Sequence, residues 1–343
     1  MIMVVRAVAI GTSKGAYLLD RDLRVDQGPV FPGWKVTAWG THPNGSLIAA
    51  LASNWFGASL QRSEDLSTWE PITDGPSFGE TRPLKQIWTL HATDDGTMLA
   101  GVEEAGVFSS ADDGTTWSPV PALNDWPGRE GWTPGLGGLG AHHVVTNGDR
   151  WWVGISAVGV FRSDDAGKTF VKADDGVTPA VPATDATDAG MCVHAIALDH
   201  RRPDHVWRQD HSGVYRTVDA GSTWERIENG LPSRFGFPIR RDAGSDRLFV
   251  VPMESDENRI TAGGRFRVFQ SDDDGDSWHV SGTGWSTRPS FDTVLRGAMA
   301  TDGEGMVVLG STGGNVWVTR DAGDSWSQVD AQLPRILSVA IVP

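Results

Sequence analysis

Three side chains that could take part in catalysis or binding occupy similar places in separate alternating apolar runs. His142, His194 and Arg296 each lie near the start of such a run. Imidazole serves as a general acid, a base or a metal ligand near neutral pH, and guanidinium binds anionic groups. When the runs are aligned, six residues share about one register: Thr37, Trp88, His142, His194, Arg296 and Ser338. Polar groups are costly to bury unless solvated or used, so the pattern predicts a water-filled tunnel or a ligand site.

A second group of candidates follows the second apolar run of several repeats. His211 and Asp210 belong to the same repeat as His194, so we expect these three to lie close together. The candidates for acid–base or nucleophilic roles are His142, His194, His211, Asp210 and Glu254. The candidates for binding substrate are Arg296, Trp88, Trp55, Glu103 and Arg259. Taken singly, each is better explained as a surface or turn residue, and it is their convergence on one face that indicates a site.

Two chemistries suit these residue types. Glycoside hydrolysis needs two carboxylates roughly 5–9.5 Å apart, and tryptophans stack on sugar rings. The carboxylates that can supply such a pair are Glu103, Glu104, Asp210, Glu254 and Asp256. Alternatively, His142, His194 and His211 with Asp210 or Glu254 are a reasonable donor set for Zn²⁺, Mn²⁺ or Fe²⁺. No HExxH or CxxC spacing supports a metal, and simple hydrogen-bonding or acid–base histidines are the other interpretation.

One eight-residue pattern must position these side chains. It reads SADDGTTW at Ser110–Trp117 and returns four more times with the form [ST]-x-D-x-G-x-[ST]-[WF], while Ser63–Trp69 is a shortened copy. The box aspartates are Asp65, Asp112, Asp165, Asp219, Asp273 and Asp321. The hydroxyl and carboxylate can bond the amides of a tight turn, the glycine allows positive φ, and the aromatic residue packs between sheets. We therefore interpret the aspartates as structural.

The repeats predict an all-β fold of short strands in antiparallel meanders, with no convincing helical periodicity. An alignment places Asp22 at the box position of a further, N-terminal repeat, and Ile336–Val342 has the pattern of a first strand. We predict a single domain over 1–343: a seven-bladed β-propeller of four-stranded blades whose first blade is closed by the C-terminal strand, with six blades as the alternative. The expected blades are 335–343 with 1–30, 36–72, 85–120, 139–173, 192–228, 236–281 and 293–329.

Composition narrows the classes of partner and compartment. The formal charge of −15 disfavours nucleic acid, because an acidic surface repels phosphates. The single cysteine, Cys192, excludes an intramolecular disulfide. The first residues lack a signal-peptide pattern and no apolar run is long enough to span a membrane, so we expect a cytoplasmic protein.

Through its boxes the chain resembles the Asp-box (BNR-repeat) β-propeller superfamily, and more narrowly bacterial exo-α-sialidase-like and glycosyl-hydrolase-like proteins. The resemblance implies that all boxes lie on one face and that ligands bind on the opposite face. It implies no single activity, since the superfamily holds sialidases, xyloglucanases and non-catalytic binding proteins. A retaining sialidase needs a tyrosine nucleophile, and here Tyr17 and Tyr215 both lie beside a box position, at the wrong end.

Three functions are therefore expected, in decreasing order. The first is a hydrolase or lyase acting on a small sugar-like or anionic polar substrate. The second is a non-catalytic scaffold that binds a peptide or protein, and the third is a metal-dependent enzyme with a histidine cluster. A divalent metal is the only cofactor considered, and a small carbohydrate-like ligand is the expected partner.

Overall fold

The computed structural model of the chain describes residues 7–79, 82–135, 137–179 and 191–343. Residues 1–6 of the first expected blade, and residues 180–190 between the expected blades 139–173 and 192–228, lie outside the described residues. Within them, one short helix, α1, spans Pro121–Asn124, and two 3₁₀ turns span Arg129–Gly131 and Ala262–Gly264. No helix in these ranges is long and apolar enough to cross a membrane.

The strands form four-stranded antiparallel units, numbered here in chain order. Unit 1 contains β1 (Ala7–Thr12), β2 (Gly15–Leu19), β3 (Val25–Val30) and β28 (Ile336–Val342). Unit 2 contains β4 (Lys35–Thr41), β5 (Leu47–Ser53), β6 (Gly57–Ser63) and β7 (Glu70–Ile72). Unit 3 contains β8 (Gln86–Ala92), β9 (Met98–Glu103), β10 (Gly106–Ser110) and β11 (Ser118–Pro119). Unit 4 contains β12 (Ala141–Asn147), β13 (Arg150–Ile155), β14 (Gly159–Ser163) and β15 (Val171–Lys172).

The remaining units have the same strand order. Unit 5 contains β16 (Val193–Leu198), β17 (Val206–Asp210), β18 (Gly213–Thr217) and β19 (Glu225–Arg226). Unit 6 contains β20 (Phe235–Arg241), β21 (Leu248–Met253), β22 (Phe269–Ser271) and β23 (His279–Val280). Unit 7 contains β24 (Val294–Thr301), β25 (Val307–Ser311), β26 (Asn315–Thr319) and β27 (Ser327–Gln332).

The innermost strands close into a ring. In chain order, β4, β8, β12, β16, β20 and β24 each contact the next, and β28 contacts both β24 and β4. A parallel bridge between Gly297 and Ser338 joins units 7 and 1 into one eight-stranded sheet. The C-terminal strand β28 pairs antiparallel with β1, so both ends of the chain contribute to unit 1. Four-stranded antiparallel sheets arranged around a ring of inner strands define a β-propeller.

Each full box forms the same hydrogen-bonded turn. In the unit 4 box, the Asp165 carboxylate accepts the Thr169 amide at 2.8 Å and the Thr169 hydroxyl at 2.7 Å, and the Ser163 hydroxyl donates to it at 2.8 Å. Ala166 and Gly167 both have positive φ, at 56° and 80°, which is why glycine suits the fifth position of the motif. The carboxylate oxygens are thus occupied by the turn itself.

The N-terminal repeat departs from the expected alignment. There the turn amides of Asp22 and Arg24 donate to the carboxylate of Asp20, at 2.9 and 2.8 Å. The Asp22 side chain instead lies at the surface, 3.8 Å from Arg24. Asp20, rather than Asp22, is therefore the residue that holds this turn.

The box tryptophans connect neighbouring units. Trp224 and Trp278 are each 4% exposed, and each donates its indole N–H to a backbone carbonyl of the preceding unit, on Ala173 at 2.9 Å and Ile227 at 2.8 Å. The buried core consists mainly of such inter-unit layers rather than one central cluster. The inner strands are consequently held at fixed spacing around the ring, which positions the side chains that line the channel at its centre.

Candidate functional site

A β-bulge in the inner strands explains the predicted polar ring. Thr37, Trp88, His142 and His194 are each skipped in the antiparallel register between the first and second strands of their unit. A bulge inserts an unpaired residue and redirects its side chain. In β28 the skipped residue is Leu337, so Ser338 lies one position away from the register predicted for it.

Four of these side chains bond the next unit. The hydroxyls of Ser338 and Thr37 donate to the carbonyls of Val36 at 2.9 Å and Ile87 at 2.8 Å. His142 and His194 do the same through Nδ1, to Val193 O at 3.1 Å and Gly236 O at 2.6 Å. Because a carbonyl can only accept, the proton of each imidazole must be on Nδ1, which leaves Nε2 as the unprotonated nitrogen.

The two channel histidines are neutral at pH 7. Burial, followed by the charge of Arg296, holds the pKa of both His142 and His194 well below the usual value. Nε2 of His142 is buried without a hydrogen-bond partner among the described residues. His142 packs edge-on against Trp88, with 4.6 Å between ring centroids.

The channel contains a cavity of about 410 Å³. Its titratable lining residues are His91, His142, His143, His200, Arg240, Arg241, Arg296 and Asp302. The cavity reaches the turns between first and second strands, near His200 and Asp302, so it extends toward the face that carries the boxes. Arg241 is paired with Asp199 and Asp246, whereas Arg240 and Arg296 have no carboxylate partner in the described residues, so the lining keeps a net positive charge within an acidic protein.

Arg296 lies where this cavity meets the opposite face, hereafter the loop face. Its guanidinium carbon is 4.3 Å from the ring centroid of Phe237 and 5.8 Å from that of Trp88. Within the part of the chain that the structure describes, it hydrogen-bonds the Cys192 sulfur and pairs with no carboxylate. Burial lowers the pKa of Arg296 to about 10, so it remains cationic at neutral pH. Arg259 approaches the same Phe237 ring, at 5.7 Å. Two guanidiniums therefore converge on one aromatic side chain.

Glu103 lies beside Trp88 on the loop face. Its carboxylate accepts the Trp88 indole N–H at 3.3 Å, and burial raises its pKa. The glycine-rich segment 135–140, whose residue 136 lies outside the described residues, crosses this position. A Cβ on Gly138 would lie 2.6 Å from Glu103, and one on Gly140 would lie 2.5 Å from Trp88. This segment is therefore a close backbone cover over Glu103 and Trp88, and glycine permits the approach.

His211 belongs to a cluster that contains a residue the sequence analysis did not select, Cys192. His211 Nε2 is 3.0 Å from the Asp256 carboxylate. The ring of His211 lies 5.7 Å from that of His194, and the donor atoms of Cys192, His194 and His211 all lie within 4.8 Å of one another. The structure thus groups two of the three predicted metal-binding histidines with a thiol, whereas His142 is not part of the group.

The surroundings of Cys192 lower the pKa of its thiol. Burial alone would raise the pKa of the thiol, but the hydrogen bond with His211, the charge of Arg296 and the Ser156 hydroxyl together bring it below its usual value. The Ser156 oxygen is 3.4 Å from the sulfur. The hydrogen bond with Cys192 in turn raises the pKa of His211, although burial opposes this. Cys192 is only partly buried.

Three other candidates are not part of this cluster. Asp210 has no exposed surface and pairs with the fully buried Arg208, which also donates to Asp174 at 2.6 Å. Such a carboxylate stabilises the framework and does not contact solvent or substrate. Glu254 is exposed and accepts the Gly263 amide at 2.7 Å. Trp55 is 90% exposed at the β5–β6 turn, with Phe56 beside it.

Comparisons with known proteins agree with a propeller fold. No family model matches the chain. An oligoxyloglucan-reducing end-specific xyloglucanase of Emericella nidulans is 24% identical over 345 residues, covering 79% of this chain and 40% of that protein. The GH74 xyloglucanase from Xanthomonas campestris superposes with a TM-score of 0.65 at 17% identity, covering 95% of this chain and 52% of that one. The chain thus spans about half or less of the length of these relatives.

A smaller propeller is similar over most of both chains. YCF48, solved bound to D1 peptide, superposes with a TM-score of 0.54 at 16% identity, covering 96% of this chain and 86% of that chain. At these identities the solved structures establish a shared fold and not a shared activity. The similar proteins include both glycoside hydrolases and a peptide-binding protein.

Proposed function

We propose that the protein is a hydrolase or lyase acting on a small, sugar-like, anionic substrate at the loop-face mouth of the channel. The observation that carries the proposal is Arg296, a cation without a carboxylate partner in the described residues, held between the rings of Phe237 and Trp88. Arg296 also hydrogen-bonds the Cys192 sulfur, but its Nε is buried without a hydrogen-bond partner in the described residues, and an anionic ligand would supply one. In this proposal the four-stranded units are the seven blades of one propeller, and the protein is cytoplasmic.

The groups around Arg296 can divide the chemistry. Arg259 adds a second positive charge beside Phe237, and Trp88 offers an aromatic surface for a sugar ring. Burial raises the pKa of Glu103, as a general acid requires. The His211–Asp256 pair can accept or return a proton on the other side of the mouth. Similarity to glycoside hydrolases supports the reaction class.

Matched substrates test the role of Arg296. An aryl uronide and the corresponding aryl hexoside share a leaving group and a ring, but differ in the carboxylate. A charged hydrogen bond contributes about 1.5–3 kcal/mol, so we expect kcat/KM for the uronide to exceed that for the hexoside by roughly 10–100-fold. Arg296→Gln should abolish this preference, and release of reducing ends or of an unsaturated product distinguishes hydrolase from lyase.

The exposed Arg288 provides the matched control, since Arg288→Gln removes the same charge from a loop-face segment. It should leave the preference unchanged. Absence of turnover across neutral and anionic aryl glycosides and lactones would contradict the proposal. An equal loss of preference in both arginine variants would show a long-range charge effect instead of binding.

A second candidate function is recognition of a peptide or protein. Trp55 and Phe56 are 90% and 78% exposed, and Phe56 packs near Trp34 with 5.9 Å between ring centroids. Exposed aromatic side chains are frequent anchors at interfaces. Peptide-array binding that is lost in a Trp55→Ala, Phe56→Ala double variant, but kept in Arg296→Gln, would favour this function.

A further inference from the structure

We propose that Cys192, His194 and His211 form a binding site for one divalent transition-metal ion, with Zn²⁺ the best-suited ion. Their donor atoms lie within 4.8 Å of one another. The inference goes beyond the proposed function, because it concerns metal binding and stands whether or not the protein turns over an anionic sugar.

Each imidazole is already oriented as a ligand. His194 donates Nδ1–H to Gly236 O, so Nε2 carries the lone pair available to a metal. His211 contacts the Asp256 carboxylate through Nε2, so Nδ1 is the nitrogen available. Metal-binding histidines almost always use the second nitrogen in such a bond to a carbonyl or carboxylate, which fixes the ring and raises its basicity. Both partners are present here.

The donor set defines the class of ion. Thiolate and imidazole nitrogen bind Zn²⁺ at about 2.3 and 2.0–2.1 Å, whereas Mg²⁺ and Ca²⁺ prefer oxygen ligands. A tetrahedral ion at those distances needs donors about 3.3–3.6 Å apart. Small side-chain rotations would therefore complete the set around an ion. Three protein ligands leave a fourth position for water or a substrate oxygen.

The local charges do not repel a cation. When a metal is bound, the deprotonated Cys192 sulfur and the Asp256 carboxylate would carry two negative charges, which offset the two positive charges of Arg296 and Arg259. Arg296, which hydrogen-bonds the sulfur, is placed to hold an anionic group near the open position. If the proposed hydrolase is correct, a metal-bound water at this position would take over the proton-accepting role given above to His211.

Cobalt provides a direct test, because Co²⁺ substitutes for Zn²⁺ and reports its ligands by colour. The protein is purified without a histidine tag, treated with chelator and titrated with Co²⁺. We expect one equivalent to bind with a sulfur-to-cobalt charge-transfer band in the near ultraviolet and visible bands of four-coordinate intensity. Zn²⁺ should displace the Co²⁺ and abolish both.

Variants assign the ligands. Cys192→Ser should remove the charge-transfer band, and His211→Gln should remove stoichiometric binding. Asp256→Asn, which keeps the ligands but removes the carboxylate bonded to His211, should weaken binding by about 10–100-fold. His142→Gln is the control, and its spectrum should equal that of the unchanged protein.

Reactivity of the single cysteine gives a second measurement. Zn²⁺ should protect Cys192 from Ellman's reagent in the folded protein, and chelator should restore the reaction. The proposal is overturned if Co²⁺ binding lacks the sulfur band, or if Cys192→Ser binds metal unchanged. It is equally overturned if Zn²⁺ leaves the reaction rate unaltered, which would identify Cys192 as a free reactive thiolate.

Discussion

Replacing Asp210 by asparagine tests whether this residue stabilises the fold or acts in the candidate site. Asp210 and Arg208 have no exposed surface, and Arg208 depends on the carboxylates of Asp210 and Asp174 for its charge balance. Burial raises the pKa of Asp210 even though Arg208 opposes it, which shows how costly the charge would be without its partner. Asparagine preserves the shape but leaves Arg208 with one carboxylate.

The size of the effect follows from the burial of the pair. Removing one partner of a buried ion pair costs about 3–5 kcal/mol. At about 2.1 cal/mol/K per residue, the unfolding entropy of 343 residues is roughly 0.7 kcal/mol/K, so Asp210→Asn should lower Tm by about 4–7 °C. Calorimetry, with reversibility checked by rescanning, measures the change.

Asp256→Asn is the reciprocal control. Asp256 is half-buried and bonded to His211, so its replacement should change Tm by less than about 1 °C while altering cobalt affinity and turnover. Asp210→Asn should show the opposite pattern, with unchanged cobalt affinity at a temperature where it is folded. Unchanged Tm together with lost turnover in Asp210→Asn would refute this reasoning and return Asp210 to a catalytic role.

Three further predictions address the boxes, the inter-unit layers and the glycine cover. The hydrogen bonds of the turn lower the pKa of Asp165 from 3.8 to about 2. The carboxylate therefore contributes to stability above pH 3.8, and this contribution is lost as the pH falls toward 2. In an acid titration followed by circular dichroism, the Tm difference between the unchanged protein and Asp165→Asn should shrink across that window. Trp278→Phe leaves the buried Ile227 carbonyl without its 2.8 Å donor, so it should lower the free energy of unfolding, measured with denaturant, by about 1–3 kcal/mol. In the unit 4 box, phenylalanine already stands in place of tryptophan at position 170. Phe170→Trp should therefore change the free energy of unfolding by less. Gly138→Ala adds a Cβ 2.6 Å from Glu103 at a backbone φ of +91°. It should therefore lower kcat and shift the acidic limb of the pH–rate profile. The control is Gly148→Ala, at a position with no neighbouring atom in reach of the Cβ, which should change stability alone.

The box spacing predicted the strand groups well, because each box specifies a turn locally. A hydroxyl, a carboxylate and a glycine at fixed offsets satisfy one another within eight residues, as the Ser163–Asp165–Thr169 bonds show. Where the motif is degenerate the alignment slipped, and Asp20 rather than Asp22 holds the N-terminal turn.

The site was harder to predict, because its contacts join distant segments. Arg208 pairs with Asp174, 34 residues earlier, and His211 bonds Asp256, 45 residues later, so neither partner follows from local pattern. The shared register of His142 and His194 was visible, but their bonds to the next unit were not. Cys192 had one overlooked signal, since its two-residue spacing from His194 places both on one side of an extended strand.

The net negative charge of the sequence reflects the exterior of the protein, whereas the channel lining has the opposite charge. The box carboxylates are bonded within turns, and others such as Asp274 and Asp204 pair with arginines on the box face. The cavity, in contrast, has three arginines and one aspartate in its lining. An acidic exterior disfavours extended polyanions, while a positive channel of about 410 Å³ accommodates a small anion, so the two inferences are compatible. The same contrast favours small substrates over polymers at Arg296, because only a compact anion can reach that guanidinium without lying along the acidic surface.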